Sequence, residues 1–158
     1  MSRMKLFTAT GLFVLAAIAA SASAQTEDAV AQELIALTQA EWAALDKNDI
    51  QEAAKNWDKE FTQFNPTFAT RIDGRAQIIK LEQATASARA GVPFSEMGNA
   101  KVQVYGDVAI LSYNYLGMTK DDDGNTEPVR AKSTRVYVNK GGSWKLVHAN
   151  FGADPRPE

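Results

Sequence analysis

The sequence from Val129 to Phe151 reads VRAKSTRVYVNKGGSWKLVHANF and has the pattern of two strands joined by a turn. Residues of high β propensity alternate with polar ones on both sides of Lys140-Gly141-Gly142, where the glycines suit a tight reversal. Counting in steps of two from Arg135 places Ser133 and Tyr137 on the same face of the strand. The opposite face then carries Thr134, Val136 and Val138. We therefore predict a β-hairpin with Arg135 on its inner face.

The residues before this hairpin continue the period of two. Val108 to Met118 predicts a long strand, and a shorter alternating segment around Val102 and Val104 precedes the Gly106-Asp107 turn. Residues 121–125, DDDGN, predict a second hairpin turn, because Asp-Gly readily adopts positive φ angles. The C-terminal half is therefore predicted to be an antiparallel sheet.

The N-terminal half has helical periodicity. Val30, Leu34 and Leu37 share one face of a helix predicted from Glu27 to about Lys47, with Trp42 at its edge. Asn48-Asp49 interrupts this helix, and either residue can cap a short second one. A strand is predicted over residues 61–66, which ends at a proline.

A third helix is predicted after Asp73-Gly74, with Asp73 as its cap. Ile78, Leu81 and Ala88 would face inward, and Gly91 would end the helix. Helices followed by antiparallel strands indicate one α+β domain rather than a parallel doubly wound sheet.

The first 24 residues have the layout of a secretory signal peptide. Arg3 and Lys5 precede an apolar run from Leu6 to Ala20, and Ala22-x-Ala24 is a small-residue cleavage pattern. The alternative is an uncleaved anchor, but a span needs about 20 apolar residues and this run is shorter. We predict cleavage after Ala24, a single domain over residues 25–158, and a periplasmic or secreted protein with no membrane association after cleavage.

The composition excludes several functional classes. The chain has 158 residues, of which 45% are hydrophobic and 23% are charged, and its net charge is −2. No long basic block is present, so nucleic acid is not a predicted partner. No cysteine is present, and His148 is the only histidine, so neither a disulfide framework nor a cysteine or histidine-rich metal site is expected. We predict no metal and no cofactor.

The order of elements, with Ser133-Thr134-Arg135-Val136-Tyr137 and Gly142-Ser143-Trp144-Lys145-Leu146-Val147-His148 at its end, resembles the SnoaL-like, nuclear-transport-factor-2-like superfamily. Within it, the chain is most similar to the association domain of calcium/calmodulin-dependent kinase II and its bacterial relatives. The resemblance implies a cone-shaped, curved antiparallel sheet wrapped around N-terminal helices, with an internal pocket. Such folds serve many functions, so the fold alone does not decide this one.

The resemblance also implies where a pocket would lie. The association domains project three arginines into the pocket, and the matching positions here are Tyr115, Arg135 and Phe151. Only Arg135 is retained as a cation, which predicts a more aromatic pocket. The predicted ligand-binding residues are Arg135, Tyr113, Tyr115, Tyr137, Phe151 and Trp42, with Phe64 as an alternative to Trp42 in closing the pocket.

Two interpretations of this cluster follow from the residues. An aromatic cavity with one cation suits a small organic ligand that bears a carboxylate. Alternatively, the aromatic residues fill a core, and Arg135 pairs with an internal acid such as Glu60.

The functional hypotheses are a ligand-binding or self-assembling protein and, as the rival, a proton-transfer enzyme of the ketosteroid isomerase or polyketide cyclase type. The rival needs a general base, and no acid lies at an inward position of the three long strands. A homodimer or higher homo-oligomer is predicted because the outward stripe is apolar. By alternation that stripe contains Thr134, Val136, Val138, Trp144, Leu146 and His148.

Overall fold

The computed structural model describes residues 26–86, 94–120 and 123–153. Its helices are α1 (Glu27–Asp46), α2 (Ile50–Ala53), which continues into a 3₁₀ turn at Ala54–Asn56, and α3 (Arg75–Ala84). Its strands are β1 (Trp57–Phe64), β2 (Ile72–Asp73), β3 (Ser95–Tyr105), β4 (Val108–Lys120), β5 (Thr126–Lys140) and β6 (Ser143–Ala153). The predicted signal peptide, Ala88, Gly91 and the first residues of the DDDGN turn lie outside the described residues.

The sequence determines where helix α1 begins and which of its faces is buried. The Thr26 hydroxyl accepts a hydrogen bond from the Ala29 amide at 3.3 Å, and two acidic residues in the first turn complement the helix dipole. Val30, Leu34 and Thr38, spaced by four residues, are buried. This face packs on the sheet and carries side chains to the site described below.

Short polar segments position the next two helices. Asn48 adopts a positive φ of 58°, and the Asp49 carboxylate caps α2 by accepting from the Glu52 amide at 3.1 Å. At α3 the cap is Gly74, with φ 87°, so the predicted cap Asp73 is wrong. The Asp73 carboxylate instead pairs with Arg71, because both lie on the same exposed segment.

The six strands form one curved, unclosed sheet in the order β2-β1-β6-β5-β4-β3. All neighbours are antiparallel except β1 and β6, which pair in parallel, a feature that the sequence pattern did not predict. Strands β4 and β5 pair without interruption from Lys120–Thr126 to Val108–Val138. The α+β class and the curved sheet with N-terminal helices are confirmed.

A β-bulge in β6 corrects the predicted outward stripe. His148 pairs with Val136 and Leu146 pairs with Tyr137, which leaves Val147 as an extra residue between them. The inward-facing residues of β6 are therefore even-numbered before the bulge and odd-numbered after it. Trp144 and Leu146 are buried before the bulge, and Ala149 is buried after it. Trp144 and Leu146 belong to the core and not to the outer surface.

The core lies between the helices and the inner face of the sheet. Its fully buried side chains include Leu34 of α1, Ile78 of α3 and Phe61, Leu111 and Leu146 of the strands. No helix in the described ranges is long and apolar enough to cross a membrane.

Candidate functional site

Two adjoining chambers open between the helices and the strands. The inner chamber has a volume of about 170 Å³, and the outer chamber has a volume of about 400 Å³. Residues that border the inner chamber but not the outer one include Glu41, Trp42, Trp57, Phe61, Ser133 and Arg135. Residues that border both chambers are Asp46, Gln63, Asn65, Glu82, Tyr115 and Phe151.

A buried ion pair lies at the wall of the inner chamber. Arg135 Nη1 and Nη2 donate to Glu41 Oε2 and Oε1, each at 2.8 Å. The two side chains are only 8% and 11% exposed. A bidentate pair at these distances is the strong form of the arginine–carboxylate interaction. Arg135 is thus paired with an internal acid, and the acid is Glu41 of α1 rather than the exposed Glu60.

Two further hydrogen bonds fix the ion pair. Arg135 Nε donates to the Tyr113 hydroxyl at 3.0 Å, and Trp57 Nε1 donates to Glu41 Oε2 at 2.9 Å. Every nitrogen of the guanidinium group therefore has a partner. Burial alone would lower the pKa of Arg135, but the Glu41 carboxylate and the nearby tyrosines raise it well above the usual value. The arginine therefore stays charged.

Aromatic side chains form the adjacent wall. Trp42 contacts Tyr115 edge-to-face with ring centroids 5.1 Å apart, and Tyr115 contacts Phe151 at 5.5 Å. The Tyr115 ring lies directly over Gly117, where an added Cβ would overlap the phenol oxygen. Gly117 is therefore required for this ring position.

The structure brings four of the six predicted site residues to the chambers: Arg135, Trp42, Tyr115 and Phe151. Tyr113 is buried behind the ion pair and contacts Trp42 at 5.4 Å. Tyr137 faces inward as predicted but lies deeper, where its hydroxyl is 2.8 Å from that of Thr38. Phe64 is 46% exposed and packs on His148, so it does not close the chambers.

The acidic residues of the site come from helices and were not among the residues predicted from the sequence. Glu41 follows Leu34 by seven residues and Thr38 by three, so it lies on the buried face of α1. A carboxylate on an apolar helix face is the signal that could have identified it. Asp46 at the end of α1 and Glu82 of α3 border both chambers.

Two further polar side chains, Tyr115 and His148, differ in their position relative to the chambers. Burial raises the pKa of Tyr115, with further contributions from the charge of Asp46 and from Tyr113. His148 Nδ1 is 2.8 Å from the Thr62 hydroxyl, away from the chambers. Among the described residues, no group of three or more acidic or histidine side chains is arranged to hold a metal ion.

Comparisons with known proteins agree with this architecture. The family model described as calcium/calmodulin-dependent protein kinase II association domain matches residues 30–155. The association domain of C. elegans CaMKII superposes with a TM-score of 0.68 and 25% identity, covering 80% of this chain and 98% of that chain. No curated protein matches the sequence significantly.

Two bacterial structures are also similar. A candidate association domain from Xanthomonas campestris has a TM-score of 0.70 and 20% identity, covering 80% of this chain and 89% of that chain. A candidate ketosteroid isomerase from Parabacteroides distasonis has a TM-score of 0.66 and 21% identity, covering 79% of this chain and 88% of that chain. At these identities the likeness shows the nuclear-transport-factor-2-like fold alone. With most of its length matched by the family model, the chain belongs to the calcium/calmodulin-dependent protein kinase II association domain family.

Proposed function

We propose that this protein binds a small organic molecule in the two chambers and that it is exported. The observation that carries the binding proposal is the inner chamber, in which a rigid, fully hydrogen-bonded ion pair faces a wall of aromatic rings. A concave, largely apolar cavity with a few fixed polar groups is the usual design of a ligand site. The predicted signal peptide supports export.

The binding proposal is tested by thermal unfolding of the protein without its first 24 residues against a library of small aromatic and alicyclic compounds. A ligand that binds the native state raises the unfolding temperature. Phe151→Ala should remove this increase because it takes away a ring that borders both chambers. Phe64→Ala is the matched control, since Phe64 is an exposed aromatic residue that borders neither chamber. If no compound stabilises the wild type, or if both variants lose the effect equally, the proposal is wrong.

Self-assembly is a second part of the proposal. The family model and the C. elegans relative are both described as association domains. On this chain, Val136 and Val138 alternate on the outer face of β5, beside His148 of β6. We propose that this face pairs with a second copy of the chain.

A proton-transfer enzyme remains the second candidate, and one observation favours it. The Asp46 carboxylate borders both chambers and is close enough to Tyr115 for its charge to raise the pKa of that phenol. An acid and a hydroxyl donor on one cavity are the groups that enolisation requires. Deuterium incorporation next to the carbonyl of cyclic ketones in D₂O, lost in Asp46→Asn, would establish the activity. Equal exchange with and without protein would exclude it for those ketones.

A further inference from the structure

The inner chamber supports an inference about the chemistry of the ligand. This inference rests on the proposed binding function. We infer that it selects an uncharged, single-ring compound with one hydrogen-bonding substituent, and that the hydroxyl of Ser133 binds this substituent. The inference departs from the carboxylate-bearing ligand that the sequence predicted.

The ion pair argues against an ionic ligand. Arg135 directs its Nε to Tyr113 and both Nη atoms to Glu41. A ligand carboxylate would have to displace Glu41 or lie beside it, and it would lose its hydration in either position. The Asp46 and Glu82 carboxylates, which also border this chamber, repel an anion further, and a ligand ammonium would have to exchange its hydration for a place beside the guanidinium group. The paired charges therefore favour a neutral ligand.

Ser133 supplies a hydrogen-bonding group that the folded chain does not use. Its side chain is 5% exposed, and its Oγ has no hydrogen-bond partner in the described part of the chain. The other buried side-chain atom in this condition is Trp144 Nε1, and Trp144 borders neither chamber. Buried hydroxyl groups are rarely left without a partner in folded proteins. Ser133 is therefore a buried group on this chamber whose hydrogen bonding a ligand can complete.

The volume of the inner chamber and the aromatic side chains of its wall suit a ligand with a single six-membered ring. A cavity of about 150 Å³ accommodates one benzene molecule, and the inner chamber has about 170 Å³. In the sheet, Ser133 lies opposite Tyr113 on β4 and Phe151 on β6. A ring that packs against Phe151 therefore brings a short substituent close to Ser133.

Four probes with the same ring test the inference: toluene, benzyl alcohol, benzoate and benzylammonium. Dissociation constants are measured by NMR titration of the protein without its first 24 residues, with Ser133→Ala and Thr134→Ala as matched variants. Thr134 also carries a hydroxyl but is exposed and on the opposite face. Loss of one neutral hydrogen bond is expected to weaken benzyl alcohol about five-fold in Ser133→Ala. Toluene should bind that variant as it binds the wild type, and Thr134→Ala should change neither constant.

The outcomes separate the inference from the proposed function. Benzyl alcohol binding at least about ten-fold more tightly than both ions supports a neutral ligand. Tighter binding of benzoate or benzylammonium, lost in Phe151→Ala, would overturn the inference while the binding function stands. An unchanged affinity of benzyl alcohol in Ser133→Ala would overturn the role of Ser133. If none of the four probes binds at millimolar concentration, the inference fails, and the unfolding test against the wider compound library decides whether the proposed function stands.

Discussion

Arg135 of β5 and Glu41 of α1, separated by 94 residues in the sequence, form a bidentate ion pair that is almost fully buried. The pair joins the first helix to the middle of the sheet. It also places two paired charges at the wall of the inner chamber, which Asp46 and Glu82 border as well. We expect the stability of the protein to depend on this contact.

Removing either partner of the ion pair should be strongly destabilising. Arg135→Gln leaves Glu41 as a buried, unpaired charge, and we expect a loss of about 3–5 kcal/mol in the free energy of unfolding, measured with urea. Glu41→Gln should cost a similar amount, and the double variant should cost less than the sum of the two. Arg71→Gln is the control because it breaks a solvent-exposed pair with Asp73, which contributes little to stability. Equal losses for Arg71→Gln and Arg135→Gln would contradict the prediction.

The contact between Tyr115 and Gly117 gives a second prediction. A Cβ at residue 117 would overlap the phenol ring, so Gly117→Ala must displace Tyr115 from its place between Trp42 and Phe151. We expect a destabilisation of about 1–3 kcal/mol, typical of overpacking. In a Tyr115→Ala background the same change should cost almost nothing, because the overlapping ring is absent. An equal cost in both backgrounds, measured by urea unfolding, would show that the ring is not the cause.

The buried tyrosine beside Thr38 predicts a loss of stability in alkali. Burial is the main reason that the pKa of Tyr137 is raised above its ordinary value of 10.0. Above pH 10 the unfolded chain releases this proton while the native state keeps it, so the free energy of unfolding falls as the pH rises through the native pKa. Below pH 10 this contribution is fully present. Tyr137→Phe should flatten the decline in urea midpoints above pH 10, and an unchanged slope would refute this assignment.

The sequence periodicities predicted most of the fold but little of the ion pair. Alternation identified β4, β5 and the turn at Gly141, since a strand with one buried face shows its period directly. The parallel pairing of β1 with β6 and the bulge at Val147 were not predictable, because neither changes the local composition. Arg135 was identified through a resemblance, whereas Glu41 becomes its partner only when α1 packs on the sheet.

If the chain associates with itself as proposed, its molecular mass in solution should exceed that of one chain. Light scattering at micromolar concentration should give a dimer or a larger assembly of the chain without its first 24 residues. Val136→Lys should shift the mass toward a monomer, because it places a charge in the proposed apolar contact. Lys132→Ala, an exposed change on the same strand, is the control. A wild-type monomer would contradict the prediction.

Export predicts a defined N-terminus. When the full chain is expressed in a Gram-negative bacterium, the periplasmic or secreted protein should begin at Gln25, because Ala22-x-Ala24 matches the cleavage pattern. Intact mass spectrometry gives the result directly. Full-length protein that retains Met1 in the membrane fraction would contradict cleavage.

The extra residue at Val147 divides β6 into two segments with different surroundings. Before it, Trp144 and Leu146 complete the solid interior, and after it, Ala149 and Phe151 face the hollow part of the molecule. A substitution at Phe151 can therefore reshape the chambers and leave the packing at Trp144 and Leu146 unchanged. One extra residue thus divides the strand into a segment that packs only in the core and a segment that also borders the chambers.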